Sequence, residues 1–331
     1  MRKSILSILY HNTGQETDIS EDIGNRLISF TYSDNKQGEA DDIEITLQNR
    51  DGVLSSVKLP DKGATIKAGL ELFDWQSQGE RTHVSFGTFN IDEITADSRG
   101  VFTIKAIASI CETAFKNEKK WKTWENVTLR EIVTRIAADN NLQLIWKGQE
   151  GEIYKSLYQI EESDAEFILK KTADEGLKIK INEEKLVVYA DSVGKCGVNI
   201  TPEILINYSF KSKTFGVYDS CKVSYLSPET NQVYYAVYVD ETKAKTKCLN
   251  LDYQARSYNE ALAKAKSELK RHNEREITAS IELPGTPEIW SDTETELSGF
   301  GLFSGNYLIE SVKHTFGRNG YTTAADLVLK G

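Results

Sequence analysis

The chain has 331 residues, enough for two or three domains with their own cores, and its apolar and charged content is that of an ordinary globular protein rather than a disordered one. Lys plus Arg number 40 against 50 Asp plus Glu, a formal charge of −10. That balance argues against a stable nucleic-acid-binding module and suits a surface past which nucleic acid slides without sticking. The four cysteines (Cys111, Cys196, Cys221, Cys248) form no C-x-x-C pair and have no histidine placed to complete a zinc site, so they read as reduced structural thiols. The apolar stretch Ile5–Tyr10 is too short for a signal peptide and breaks at His11-Asn12, and no segment reaches transmembrane length.

In chain order, residues 1–110 read as a first β domain. Ile43, Ile45 and Leu47 alternate with polar residues, as do Ile66, Ala68, Leu70 and Leu72, and then Phe102, Ile104 and Ala106, which is the period of half-buried strands. Turn chemistry at Asn49–Gly52, Pro60–Gly63 and Ser98–Gly100 separates the runs. Residues 111–203 read as an α+β insertion. Thr128/Glu131 and Ser163/Glu166 are capping boxes opening helices, Gly176 is the expected left-handed stop of the second helix, and the runs on either side of Glu183-Glu184 form a hairpin. Residues 204–331 return to β, interrupted by one alanine-rich helix over 257–273 behind a Ser257/Glu260 cap.

An internal repeat ties the outer regions together. Gly87-Thr88-Phe89-Asn90-Ile91-Asp92-Glu93-Ile94 matches Gly305-Asn306-Tyr307-Leu308-Ile309-Glu310-Ser311-Val312, and each is followed by a turn glycine (Gly100, Gly320) and a strand. The fold class is therefore mainly β: two tube-like antiparallel β-barrel domains flanking a small α+β region. Three copies of such a chain place six similar domains in one ring, which seats on a hexamer while its other face stays threefold.

The segment from Gln159-Ile160-Glu161-Glu162-Ser163-Asp164-Ala165-Glu166-Phe167 to Glu175-Gly176-Leu177 resembles the E-S-D-x-E-F-L…A-E-E-G-L stretch of phage late control D proteins. These are tail baseplate hubs, similar to the hub part of type VI secretion spike proteins. Trp124 to Val133 resembles their W-E-x-x-T-L-x-D-I-V stretch, and His314 stands where that family often has histidine. The resemblance implies a homotrimer in a virion or tail-like particle, made in the bacterial cytoplasm, with tail tube, spike, baseplate wedge and tape-measure proteins as partners. Because the sequence stops at Gly331, just past the second repeat, the spike is expected to be a separate protein.

Chemical motifs point to no cofactor, metal or catalytic residue. The paired acids Asp41-Asp42, Glu161-Glu162 and Glu183-Glu184 are expected on the solvated surface, although a tail-associated peptidoglycan hydrolase, which needs two carboxyls across a cleft, is the alternative. The scattered histidines have no G-x-S-x-G elbow, Gly299-x-Gly301-x-x-x-Gly305 lacks a strand–turn–helix setting, and no basic helix-turn-helix pattern supports a DNA-binding regulator. In its strand, His314 is expected on one face with Glu310 and Val312, and Ile309, Ser311 and Lys313 on the other. The basic-aromatic run Lys119-Lys120-Trp121-Lys122-Thr123-Trp124 reads as a solvated loop or protein interface rather than a single-strand binder. Trp121, Trp124 and His314 are the candidate interface residues.

Overall fold

The computed structural model describes residues 2–330 apart from 13–14, 37–38, 57–63, 109–113, 152, 183–184, 191, 227–230, 242–246, 254, 256 and 319. The turn at Pro60–Gly63, Cys111 and the Glu183-Glu184 pair lie outside the described residues. Mainly antiparallel β-structure dominates, as the alternating patterns require.

The first module contains β1 (Lys3–Asn12), β2 (Gln15–Asp18), α1 (Ser20–Arg26), β3 (Leu27–Asp34), β4 (Asp42–Gln48), α2 (Val53–Ser56), β5 (Thr65–Phe73), β6 (Arg81–Ala96) and β7 (Val101–Ala108). Ile43, Ile45 and Leu47 on β4 and Ile66, Ala68, Leu70 and Leu72 on β5 all point into one core with Phe30, Tyr32, Phe86 and Phe89. The insertion follows: α3 (Ala114–Asn117), β8 (Lys120–Val127), α4 (Leu129–Asp139), β9 (Gln143–Lys147), β10 (Tyr154–Glu162), α5 (Asp164–Asp174), β11 (Lys178–Asn182) and β12 (Lys185–Tyr189). Both capping boxes are made in full, and Gly176 takes φ +73° just past α5. Strands β11 and β12 form the expected hairpin, but β12 also pairs in parallel with β9, a contact no local pattern announces.

The second module holds β13 (Gly194–Ile200), β14 (Asn207–Ser212), β15 (Ser220–Leu226), β16 (Val233–Val239), β17 (Cys248–Asp252), α6 (Tyr258–Asn273), β18 (Ile277–Pro284), β19 (Thr293–Leu297), β20 (Gly305–Gly317) and β21 (Gly320–Leu329). Strand β13, the last of the 111–203 segment, pairs with β19 and so lies in this sheet rather than with the insertion strands. Strands β15 to β17 form a separate small sheet packed on α6 around Cys221, Val223, Ala261 and Leu269, and this unit interrupts the module between β14 and β18.

Without the short β2 return and the β15–α6 unit, each module has six strands, and their spatial orders coincide. The first runs β3-β4-β7-β6-β5-β1 and the second β14-β18-β21-β20-β19-β13, both 2-3-6-5-4-1 in the module's own count. One difference is that β1 runs antiparallel to β5 whereas β13 runs parallel to β19. The repeat in sequence coincides with this repeat in structure. Asp92 is the extra residue of a bulge between the pairs Ile91↔Ala106 and Glu93↔Lys105, and its counterpart Glu310 is the extra residue between Ile309↔Leu327 and Ser311↔Asp326.

The bulge corrects the expected faces of β20. A bulge adds one residue to one strand, so side-chain parity inverts across it. Ile309 before the bulge and Val312 and His314 after it are therefore all buried, and Ile309 does not share a face with the exposed Lys313. After the bulge, β20 leaves β19 and pairs through Val312–Gly317 with β3, joining both modules into one 13-stranded sheet.

No helix among the described residues is long and apolar enough to cross a membrane. Close packing at the seam is tightest at Gly285, where an added Cβ would lie 2.0 Å from the Tyr321 ring, while the Gly285 carbonyl accepts from Trp75 Nε1. Gly285→Ala is expected to lower stability by about 2 kcal/mol through overpacking, measured as a shift in the urea midpoint with unchanged slope.

Candidate functional site

The seam between the modules holds a cluster of buried polar groups. Asp34 ends β3 and is 1% exposed. Its Oδ1 accepts from Lys180 Nζ (2.8 Å) on β11 and from Ser291 Oγ (2.7 Å), and its Oδ2 accepts from Ser291 N (2.6 Å). One carboxylate thereby fastens the first module, the insertion and the second module. Asp292, next along the chain at φ +62°, lies 3.8 Å from the same lysine, and burial raises its carboxyl.

Asp41 is not on the solvated surface expected of the Asp41-Asp42 pair. Its Oδ2 accepts from Tyr32 Oη (3.1 Å) and its Oδ1 from Asn35 N (3.0 Å). Burial, with the charge of Asp34 beside it, pushes the Asp41 carboxyl up to about 6. Asp41 and Lys180 line a cavity of 240 Å³ with Lys36, Phe115, Glu166 and Ile179. Three of the charged groups on this cavity are tied to neighbouring groups: Asp41 as above, Glu166 to Lys119 (2.8 Å) and Lys180 to Asp34. Among the described residues no group of three or more His, Cys, Asp and Glu is placed to hold a metal, and Cys196, Cys221 and Cys248 are free thiols.

The three interface candidates fall in different environments. His314 is 1% exposed in an aromatic cluster with Tyr32, Phe86, Trp290 and Tyr321. Its Nε2–H donates to the Ile289 carbonyl (3.2 Å) and its Nδ1 accepts from Tyr321 Oη (2.8 Å), the pattern of a neutral ring. Burial depresses the imidazole to about 4. Trp124 is also buried, stacked on Phe167 in the insertion core. Trp121 is 72% exposed at the start of β8, opposite exposed Ile160 on β10. The run 119–124 is thus mostly strand rather than loop, and its lysines are engaged within the insertion. Lys119 pairs with Glu166 (2.8 Å), Lys120 with Asp164 (2.7 Å), and Lys122 lies 4.1 Å over the Trp124 ring.

Asp164 is the residue whose role the sequence leaves unread. It is 2% exposed, and burial alone would raise its carboxyl, but hydrogen bonds from Lys120, Gln159 (3.0 Å) and Asn140 (3.2 Å) outweigh that and hold it below the usual range. Asp164 therefore pins β8, β10 and α4 to the start of α5. Together the site has the character of structural cement.

The molecule is thus a duplicated strand module whose seam and insertion are held by buried polar groups. The fold is shared with the 43 kDa tail protein of prophage MuSo2 from Shewanella oneidensis (TM-score 0.71, 14% identity, 98% of this chain and 96% of that one). It is shared also with a tail protein from Neisseria meningitidis MC58 (TM-score 0.70, 12% identity, 98% and 97%). An E. coli component of the type VI secretion system, described as similar to bacteriophage T4 tail proteins, aligns with TM-score 0.57 at 11% identity over 92% of this chain and 74% of that one. No protein-family model matches the chain. Over 95% of its length it is 24% identical to a protein of Escherichia phage 186 and 23% identical to one of Escherichia phage P2, covering 90% and 91% of them; both are named probable baseplate hub proteins. The resemblance to tail baseplate hubs stands.

Two expectations follow. Lys180→Met strands the Asp34 carboxylate and should cost about 3–5 kcal/mol, with much of the loss recovered in the Lys180→Met, Asp34→Asn double variant; denaturant titration of the three proteins measures it. His314 has a folded pKa below its unfolded value, so its contribution is complete above pH 6.5 and is lost as pH falls toward 4. Roughly 3 kcal/mol of acid destabilisation should appear across that window and flatten in His314→Gln, as read from unfolding midpoints against pH.

Proposed function

We propose that the chain is the baseplate hub of a phage tail or tail-like contractile injection machine and acts without catalysis. Three copies form a ring, and because each contributes two look-alike modules the ring is pseudo-sixfold. One face seats on the hexameric tail tube and the other on a threefold spike carried by a separate protein, with baseplate wedge and tape-measure proteins as further neighbours. The mechanism is geometric: the ring matches two symmetries and its lumen passes cargo. The observation that carries this reading is the shared strand order and shared bulge of the two modules, which makes six equivalent blocks available from three chains. The relatives named baseplate hub proteins support the same reading.

The hydrolase alternative would draw on Asp41, the carboxyl held near neutrality on the cavity wall. Both its oxygens accept protein donors, which leaves it poorly placed to protonate a glycosidic oxygen. Sedimentation equilibrium of the purified chain should give a mass of three chains. A stable hexamer or a persistent monomer overturns the ring, and peptidoglycan clearing that disappears in Asp41→Asn overturns the non-catalytic reading.

A further inference from the structure

The joint that β20 and β3 make inside the chain has a reciprocal that the chain leaves unmade. In module terms, the fifth strand of the second module pairs with the second strand of the first. The fifth strand of the first module is β6 and the second strand of the second is β14. Strand β14 is the outer edge of the large sheet. Past Asn90, where its pairing with β5 ends, β6 pairs among the described residues with β7 alone.

The registers of the two modules fix how these open edges would meet. Ile91↔Ala106 matches Ile309↔Leu327, and across the bulge Ile94 becomes the counterpart of Val312. On the other side, Tyr32↔Ile43↔Ala106 matches Phe210↔Ala279↔Leu327, so Phe210 is the counterpart of Tyr32 and Tyr208 that of Phe30. The internal joint sets Val312 opposite Asp34. Transferring it sets Ile94 opposite Ser212, Thr95 opposite Lys211, Ala96 opposite Phe210, and Glu93 opposite Lys213.

That single register satisfies both faces of the strands. Glu93 faces Lys213 directly, and Lys211, opposite Thr95, has Glu93 and Asp97 on its two diagonals. On the other face Ile94 and Ala96 meet Phe210. The exposure contrast points the same way: Phe30 is 1% exposed beneath the internal joint, whereas its counterpart Tyr208 is 48% exposed. The positions in the first module that correspond to Lys211 and Lys213, Ser33 and Asn35, are uncharged. Charged open edges discourage indiscriminate strand pairing and admit a partner of complementary sign.

We propose that copies of this chain join head to tail through β14 of one and Glu93–Asp97 of the next, paired antiparallel with Ile94 opposite Ser212. This rests on the ring reading above and names its contact. The test uses the full chain carrying Thr95→Cys and Lys211→Cys, oxidised mildly and run on a non-reducing gel, beside each single variant. The expected result is a covalently closed trimer in the double variant alone. In parallel, Lys213→Glu should weaken assembly at least about tenfold by sedimentation and Glu93→Lys in the same chain should restore it, because a sign-matched pair is rebuilt. A chain that sediments as a trimer yet does not cross-link, and whose charge reversal is not rescued, overturns this joint and leaves the ring intact. Cross-linking into open chains or hexamers upholds the joint and overturns the threefold ring. A chain that stays monomeric overturns both.

Discussion

Strand β20 is the member on which the architecture depends. Its first half closes the second module against β19 and β21, and its second half is the neighbour of β3, so one continuous strand serves two cores. Backbone hydrogen bonds across Val312–Gly317 turn two modules into a single sheet, and the side chains that strand sends inward find aromatic partners from both. His314 illustrates the arrangement: it is held by Ile289 and Tyr321 of its own module while lying parallel to Tyr32 of the other. A neutral imidazole suits this position because it donates at one nitrogen and accepts at the other without bringing charge into an apolar seam.

Around that backbone joint the insertion is fastened by a few deeply buried charges. Asp34 holds Lys180 and Ser291, and Asp164 holds Lys120 with two amides. Such groups are costly to desolvate and stable only when fully partnered, so they fix one arrangement of three parts at the expense of alternatives. At Asp34 and Asp164, polar chemistry that looks reactive in a residue count is engaged in orienting the parts around it.

What could be read from the sequence was local. The capping boxes at Thr128/Glu131 and Ser163/Glu166 act over three residues, Gly176 answers a backbone need at one position, and alternation along β4 and β5 needs only neighbouring residues. The repeat was also legible, because glycine, aromatic, isoleucine and acid recur in order. What escaped was set by distance or by count. Asp34 meets Lys180 and Ser291 far along the chain, and β12 finds β9 in parallel across a helix. Trp121 and Trp124 are three residues apart, an odd interval that puts them on opposite faces of a strand, so the run reads correctly only once it is taken as β8.

The bulges at Asp92 and Glu310 carry a consequence for how this sequence can vary. Each shifts the parity of the residues beyond it, so the number of backbone units in the strand is constrained more tightly than the chemistry at the bulge itself. Exchanging Glu310 for another polar residue leaves every downstream side chain on its own face. Deleting it would turn Val312 and His314 out to water and Lys313 into the seam. In this protein the arithmetic of spacing is information in its own right: the two repeats differ in composition yet keep the same interval from glycine to bulge, Gly87 to Asp92 and Gly305 to Glu310.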